Sequence, residues 1–90
     1  MKPDEILKTA ASLVSGDRAE QYGDYTIMHQ RAADLWSAYL KVEIKPADVA
    51  LCMALLKVAR NEMGQVKPDN GIDASAYVAL WSAMMEDKNA

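Results

Sequence analysis

Lys57 and Arg60 stand three residues apart at the end of the stretch PADVALCMALLKVAR, residues 46–60. On a helix that spacing puts both on one side, where a planar guanidinium fork and a point-charge ammonium can hold the same phosphate or carboxylate. Two readings of the pair stay open: an anion site, or cations balanced by the chain's own Glu62, Asp69 or Asp73. A second candidate is GDRAEQYG, residues 16–23, where Arg18 and Tyr22 lie between two glycines. A Gly-bounded turn with a cation and an aromatic can hold a phosphate and stack a base, and the same composition also makes an ordinary capped loop. Asp69 and Asp73, four residues apart, bring two carboxylates to the start of the last helix, where capping alone would account for Asp69.

Several chemistries lack their parts. The chain has one His and one Cys, with no zinc-ligand spacing, no Walker loop and no GxSxG, which removes zinc sites and Ser-His or Cys-His catalysis. His29 is expected at a surface or partly buried helix position. Cys52 cannot form an internal disulfide, and its place in an apolar run suggests a buried thiol in a reducing compartment. A net charge of −3 opposes broad nucleic-acid binding, which needs a basic field. The acidic pair Asp4-Glu5 does not suit a signal peptide, and the apolar run Val49–Leu56 is too short to span a membrane. A cytoplasmic, membrane-free chain is the expectation.

These residues need a scaffold, and the pattern predicts an all-α one. Ile6, Leu7, Ala10, Leu13 and Val14 recur at helical spacing over residues 3–15, and Gly16 ends the run. Asp17 and Glu20 form a capping-box pattern for a short helical turn that Gly23 closes. From Asp24 or Tyr25 to about Lys41, the residues Met28, Ala32, Leu35, Trp36, Tyr39 and Leu40 make an apolar stripe, with Arg31 and Asp34 on the wetter side. Pro46 opens the central helix, Lys45 is a poor cap for it, and Asp48 lies in its first turn, where the helix dipole favours a carboxylate. That helix is apolar on all sides from Val49 to Leu56, so it must be wrapped by others. It fades towards Gly64, GQVKPDNG is loop, and a last helix runs from Asp69–Asp73 to about Glu86 with Ile72, Ala76, Leu80, Trp81 and Met84 apolar. Trp36 and Trp81 are read as core. The result is a single domain over residues 1–90, a compact bundle of four main helices plus one short turn, with residues 86–90 frayed. Its small size and surplus apolar face point to a homo-oligomer.

The order GDR, YG, a Trp-centred helix, Asp48-Val49-Ala50, Lys57-x-x-Arg60 and Asp69-Asn70-x-x-Asp73-x-x-x-Tyr77 resembles a small helical family encoded by phages and prophages, over about residues 6–80. That pattern carries Trp at position 71, where this chain has Gly71, and it retains the acidic and Tyr positions Asp69, Asp73 and Tyr77. More distantly, the layout looks like the MazG-type nucleoside triphosphate pyrophosphohydrolases, which hold magnesium through carboxylates on adjacent helices. Their Glu-x-x-Glu and Glu-x-x-Asp pairs have no counterpart here, but Asp48, Asp69 and Asp73 could serve magnesium if substrate phosphates and waters complete the shell.

The favoured expectation is a phage-type helical homo-oligomer, without a cofactor, that binds an anionic, nucleotide-like ligand. Its site would comprise Arg18, Tyr22, Lys57, Arg60, Asp69, Asp73 and Tyr77. Analogy with phage proteins suggests sequestering a nucleotide signal of host defence. The alternatives are a magnesium-dependent pyrophosphohydrolase and a helical adaptor that offers a Met-rich groove to a host protein.

Overall fold

A computed structural model describes residues 1–15 and 24–86. Among these residues the chain forms four helices and no strand: α1 (Pro3–Val14), α2 (Tyr25–Leu40), α3 (Pro46–Glu62) and α4 (Pro68–Glu86). Three begin at proline, whose missing N–H costs nothing in the first turn of a helix. The second begins at an aspartate cap. Asp24 Oδ1 accepts from the Thr26 backbone N–H at 2.8 Å and from its hydroxyl at 2.7 Å, and these bonds hold the Asp24 carboxyl below its usual range. Lys45 supplies no capping acceptor to α3, and Asp48 reaches back instead, its Oδ2 accepting from the Lys45 N–H at 2.9 Å. The capping expected of Asp69 is not what it does. The helix already starts at Pro68, so Asp69 lies inside the first turn and contributes charge to the dipole.

The α2–α3 connection is held by a short polar latch. The Ser37 hydroxyl donates to the Ile44 carbonyl at 3.2 Å and accepts from the Ile44 N–H at 2.8 Å, closing the α2–α3 link. Lys41 ends α2 in the left-handed conformation, φ 58°, and its N–H donates to the Ser37 carbonyl. Gly64, φ 90°, turns the chain out of α3 where an L side chain would be strained.

Packing is organised by the α3–α4 hairpin. Ala47 and Ala50 near the start of α3 pack with Leu80, Trp81 and Met84 near the end of α4, and Tyr25 of α2 joins them. Nearer the start of α4, Ile72 and Ala76 take Ile6, Ala10, Leu13 and Val14 of α1. Gly71 faces α1, with the Ile6 Cγ2 methyl 3.9 Å from where a Cβ would stand. On the other side of the hairpin α2 packs against α3.

The sidedness of two helices departs from the sequence pattern. Met28, Leu35, Tyr39 and Leu40 are exposed, because α2 buries the neighbouring stripe that carries His29 and Ala33. The central helix is wrapped on one side only, which leaves Cys52, Leu55, Leu56 and Ala59 outward and makes Cys52 an exposed thiol rather than a buried one. Leu7 of α1 is exposed as well. Among the described residues, six of the nine buried apolar side chains are alanines, so the core gains close helix approach rather than large apolar area. The short turn expected over residues 17–23 and the frayed tail beyond Glu86 lie outside the described residues.

Candidate functional site

Polar residues of α3 and α4 meet along the inside of the hairpin, one helical turn after another. At the loop end Asn70 is buried, and its Nδ2 donates to the Gln65 carbonyl at 2.6 Å and to Asn61 Oδ1 at 3.3 Å. One turn on, Lys57 Nζ lies 3.1 Å from Asp73 Oδ2, with the side chains 18% and 33% exposed. One turn farther, the Tyr77 ring meets His29 of α2 edge-on, with ring centroids 6.3 Å apart. The spacing explains the alignment: 57 and 61 are four apart on α3, and 70, 73 and 77 are three and four apart on α4, so each set shares a face.

His29 is 2% exposed, deeper than the surface or half-buried position its sequence context suggested. Its Nδ1 lies 2.7 Å from the Tyr25 carbonyl, and a carbonyl only accepts, so Nδ1 carries the proton. Tyr25 closes the other side of the imidazole, with centroids 6.4 Å apart. Among the described residues no buried side-chain polar atom lacks a partner.

The expected site residues divide into three groups. Lys57, Asp73 and Tyr77 are brought onto the hairpin seam, and Lys57 is engaged by the chain's own carboxylate. Arg60 lies at the exposed end of α3, three residues past Lys57, and among the described residues no carboxylate pairs with it. Asp69 is exposed in the first turn of α4. Arg18 and Tyr22 fall outside the described residues. The magnesium trio does not gather: Asp48 is nine residues from Lys57 on α3, about 13 Å at 1.5 Å per residue, whereas Asp73 sits on Lys57. Among the described residues no group of three His, Cys, Asp or Glu side chains could hold a metal ion.

Asn61, Asn70 and His29 belong to the seam although their types alone did not mark them. The usable signal was the shared face: Asn61 is one turn beyond Lys57, and Asn70 one turn before Asp73. The seam thus accounts for most of the Asp-Asn-x-x-Asp-x-x-x-Tyr pattern as the inner edge of one helix.

A family model matches residues 5–85, nearly the whole described chain. The chain belongs to the DUF6378 family. That family is described as a domain of unknown function. The DUF6378 chain is 41% identical over 80 residues to the Gene 55 protein of Mycobacterium phage L5, covering 88% of this chain and 51% of that protein. It is 32% identical over 84 residues to the Gene 55 protein of Mycobacterium phage D29, covering 93% and 56%. The chain therefore spans about half the length of the curated relatives it matches. No solved structure matches it. The phage kinship agrees with the resemblance read from the motifs, and among the described residues no helix is long and apolar enough to cross a membrane.

Proposed function

We propose that this DUF6378 domain binds a phosphate-bearing, nucleotide-like ligand at the open end of the α3–α4 seam. Lys57 and Arg60 take the phosphates, and Asp69, Asp73 and Tyr77 border the site from α4. Arg18 and Tyr22 of the α1–α2 connection supply a further cation and a ring for the base. In a phage setting, the task is to withhold a nucleotide signal of host defence. One observation carries the reading: in an acidic chain, a mostly buried Lys57 is held by an Asp73 carboxylate that is one-third exposed, and Arg60 is presented one turn away with no carboxylate paired to it among the described residues. A phosphate arriving there meets two cations, one of them already ordered, and the internal partner Asp73 is a competitor that a ligand can displace.

Mass spectrometry of small molecules released from the denatured purified protein tests this, together with titration by a nucleotide panel with and without magnesium. Binding of intact nucleotide that needs no metal supports withholding. Metal-dependent release of pyrophosphate would replace it with the pyrophosphohydrolase reading. Absence of binding across the panel, with the fold intact, would remove it.

A further inference from the structure

We propose that two copies of this chain pair antiparallel through the outer face of α2, with Met28, Ala32, Leu35 and Tyr39 as the seam. This is independent of the ligand reading. At 100° per residue these four positions lie within about 60° of one another, and their 4-3-4 spacing is that of the a and d positions of a coiled coil. This stripe is distinct from the one α2 buries inside the fold: His29 and Ala33 are buried, Ala32 is half-buried at its edge, and Met28, Leu35 and Tyr39 remain 55%, 71% and 85% exposed.

Two arguments select a second copy as the occupant. The first is area. At roughly 200 Å² per large side chain, the three leave about 420 Å² of surface per copy and about 840 Å² for a pair. That is the apolar share of an interface of about 1,400 Å², within the range of stable specific contacts. The second is self-complementarity. In an antiparallel pair, a positions face d positions, so Tyr39 meets Met28 of the other copy and Ala32 meets Leu35. Large then lies against small, and a thioether against an aromatic ring, a favourable contact. Parallel pairing would set Ala32 against Ala32 and leave a gap between two bulky layers. The alanine-rich interior adds to the driving force, because the monomer buries mostly methyl groups and leaves several large side chains, Met28, Leu35 and Tyr39 among them, exposed.

Light scattering of the 90-residue chain over the micromolar range should give twice the monomer mass. Leu35→Lys should reduce it to the monomer, and Leu55→Lys, on the outward side of α3, should leave it unchanged. To fix direction, and to keep the test valid if Leu35→Lys does not fold, Met28→Cys and Tyr39→Cys are each made in a Cys52→Ser background. Mixed and oxidised, they should form a disulfide-linked pair that neither forms alone. A monomeric wild type would overturn the proposal. So would self-linking of Met28→Cys, or dimer loss in Leu55→Lys with Leu35→Lys still dimeric.

Discussion

Replacing Asp73 with Asn should weaken the fold and strengthen anion binding, and the opposed signs make it informative. At 3.1 Å the bare attraction between Lys57 and Asp73 is about 5 kcal/mol at an effective dielectric of 20 and about 1.3 kcal/mol in water. Side chains that are 18% and 33% exposed lie between those limits, and solvent screening with side-chain ordering reduces the net coupling to about 1 kcal/mol. The same figure should appear as the interaction term of a double-mutant cycle with Lys57→Met, which keeps the apolar stem and removes the charge. In thermal melts Asp73→Asn should lower the midpoint by about 4–8 °C for a domain of this size. In titrations with a nucleoside triphosphate or inorganic pyrophosphate, the freed ammonium should raise affinity about five-fold, the binding equivalent of the same coupling. A stability loss accompanied by weaker anion binding would refute the idea that Asp73 competes for Lys57. A coupling near zero would refute the pairing itself.

Two further outcomes follow from the same geometry. Asn70→Asp should destabilise more than Asn70→Ala, by about 1 kcal/mol or more in urea unfolding, because it places an acceptor against the Gln65 carbonyl and Asn61 Oδ1, which both accept hydrogen bonds from the Asn70 amide N–H groups. Equal losses would mean that the amide's hydrogen atoms are not what the loop needs. Cys52 should react with a thiol reagent in the folded protein at a rate close to that of the unfolded chain, since it is exposed on α3. Strong protection would mean that the outward side of α3 is covered.

Most helix boundaries were legible because they are written locally, the exception being the start of α4, which falls at Pro68 inside the stretch read as loop. Pro46 starts α3 at the residue expected, Gly64 ends the turn after it with a positive φ, and Asp48 lies in the first turn as expected, where it also accepts from the Lys45 N–H, a bond the sequence reading did not include. Pro3 and the acidic first turn of α1 are of the same kind. What each helix buries is a long-range matter, and here the pattern misled. Helix α2 carries two apolar stripes, and nothing within it says that the one with His29 faces inward. That choice comes from Tyr77, nearly fifty residues away, which closes over the imidazole. An all-round apolar α3 looked certain to be enclosed, yet the described helices pack along one side of it, so Cys52 and Leu55 face outward. The pairing of Lys57 with Asp73 was one of two readings left open, because both outcomes satisfy the same charges. Arg60, by contrast, went without a carboxylate among the described residues.

Calorimetric titration of the wild type and Arg60→Ala with a nucleotide panel in metal-free buffer tests the central claim most directly. Arg60 is exposed, so its removal should leave the melting curve almost unchanged. Loss of a charge-assisted contact should weaken ligand binding about 10- to 100-fold. Equal binding by both proteins, or binding by neither, would contradict the assignment of this turn of α3 to an incoming phosphate.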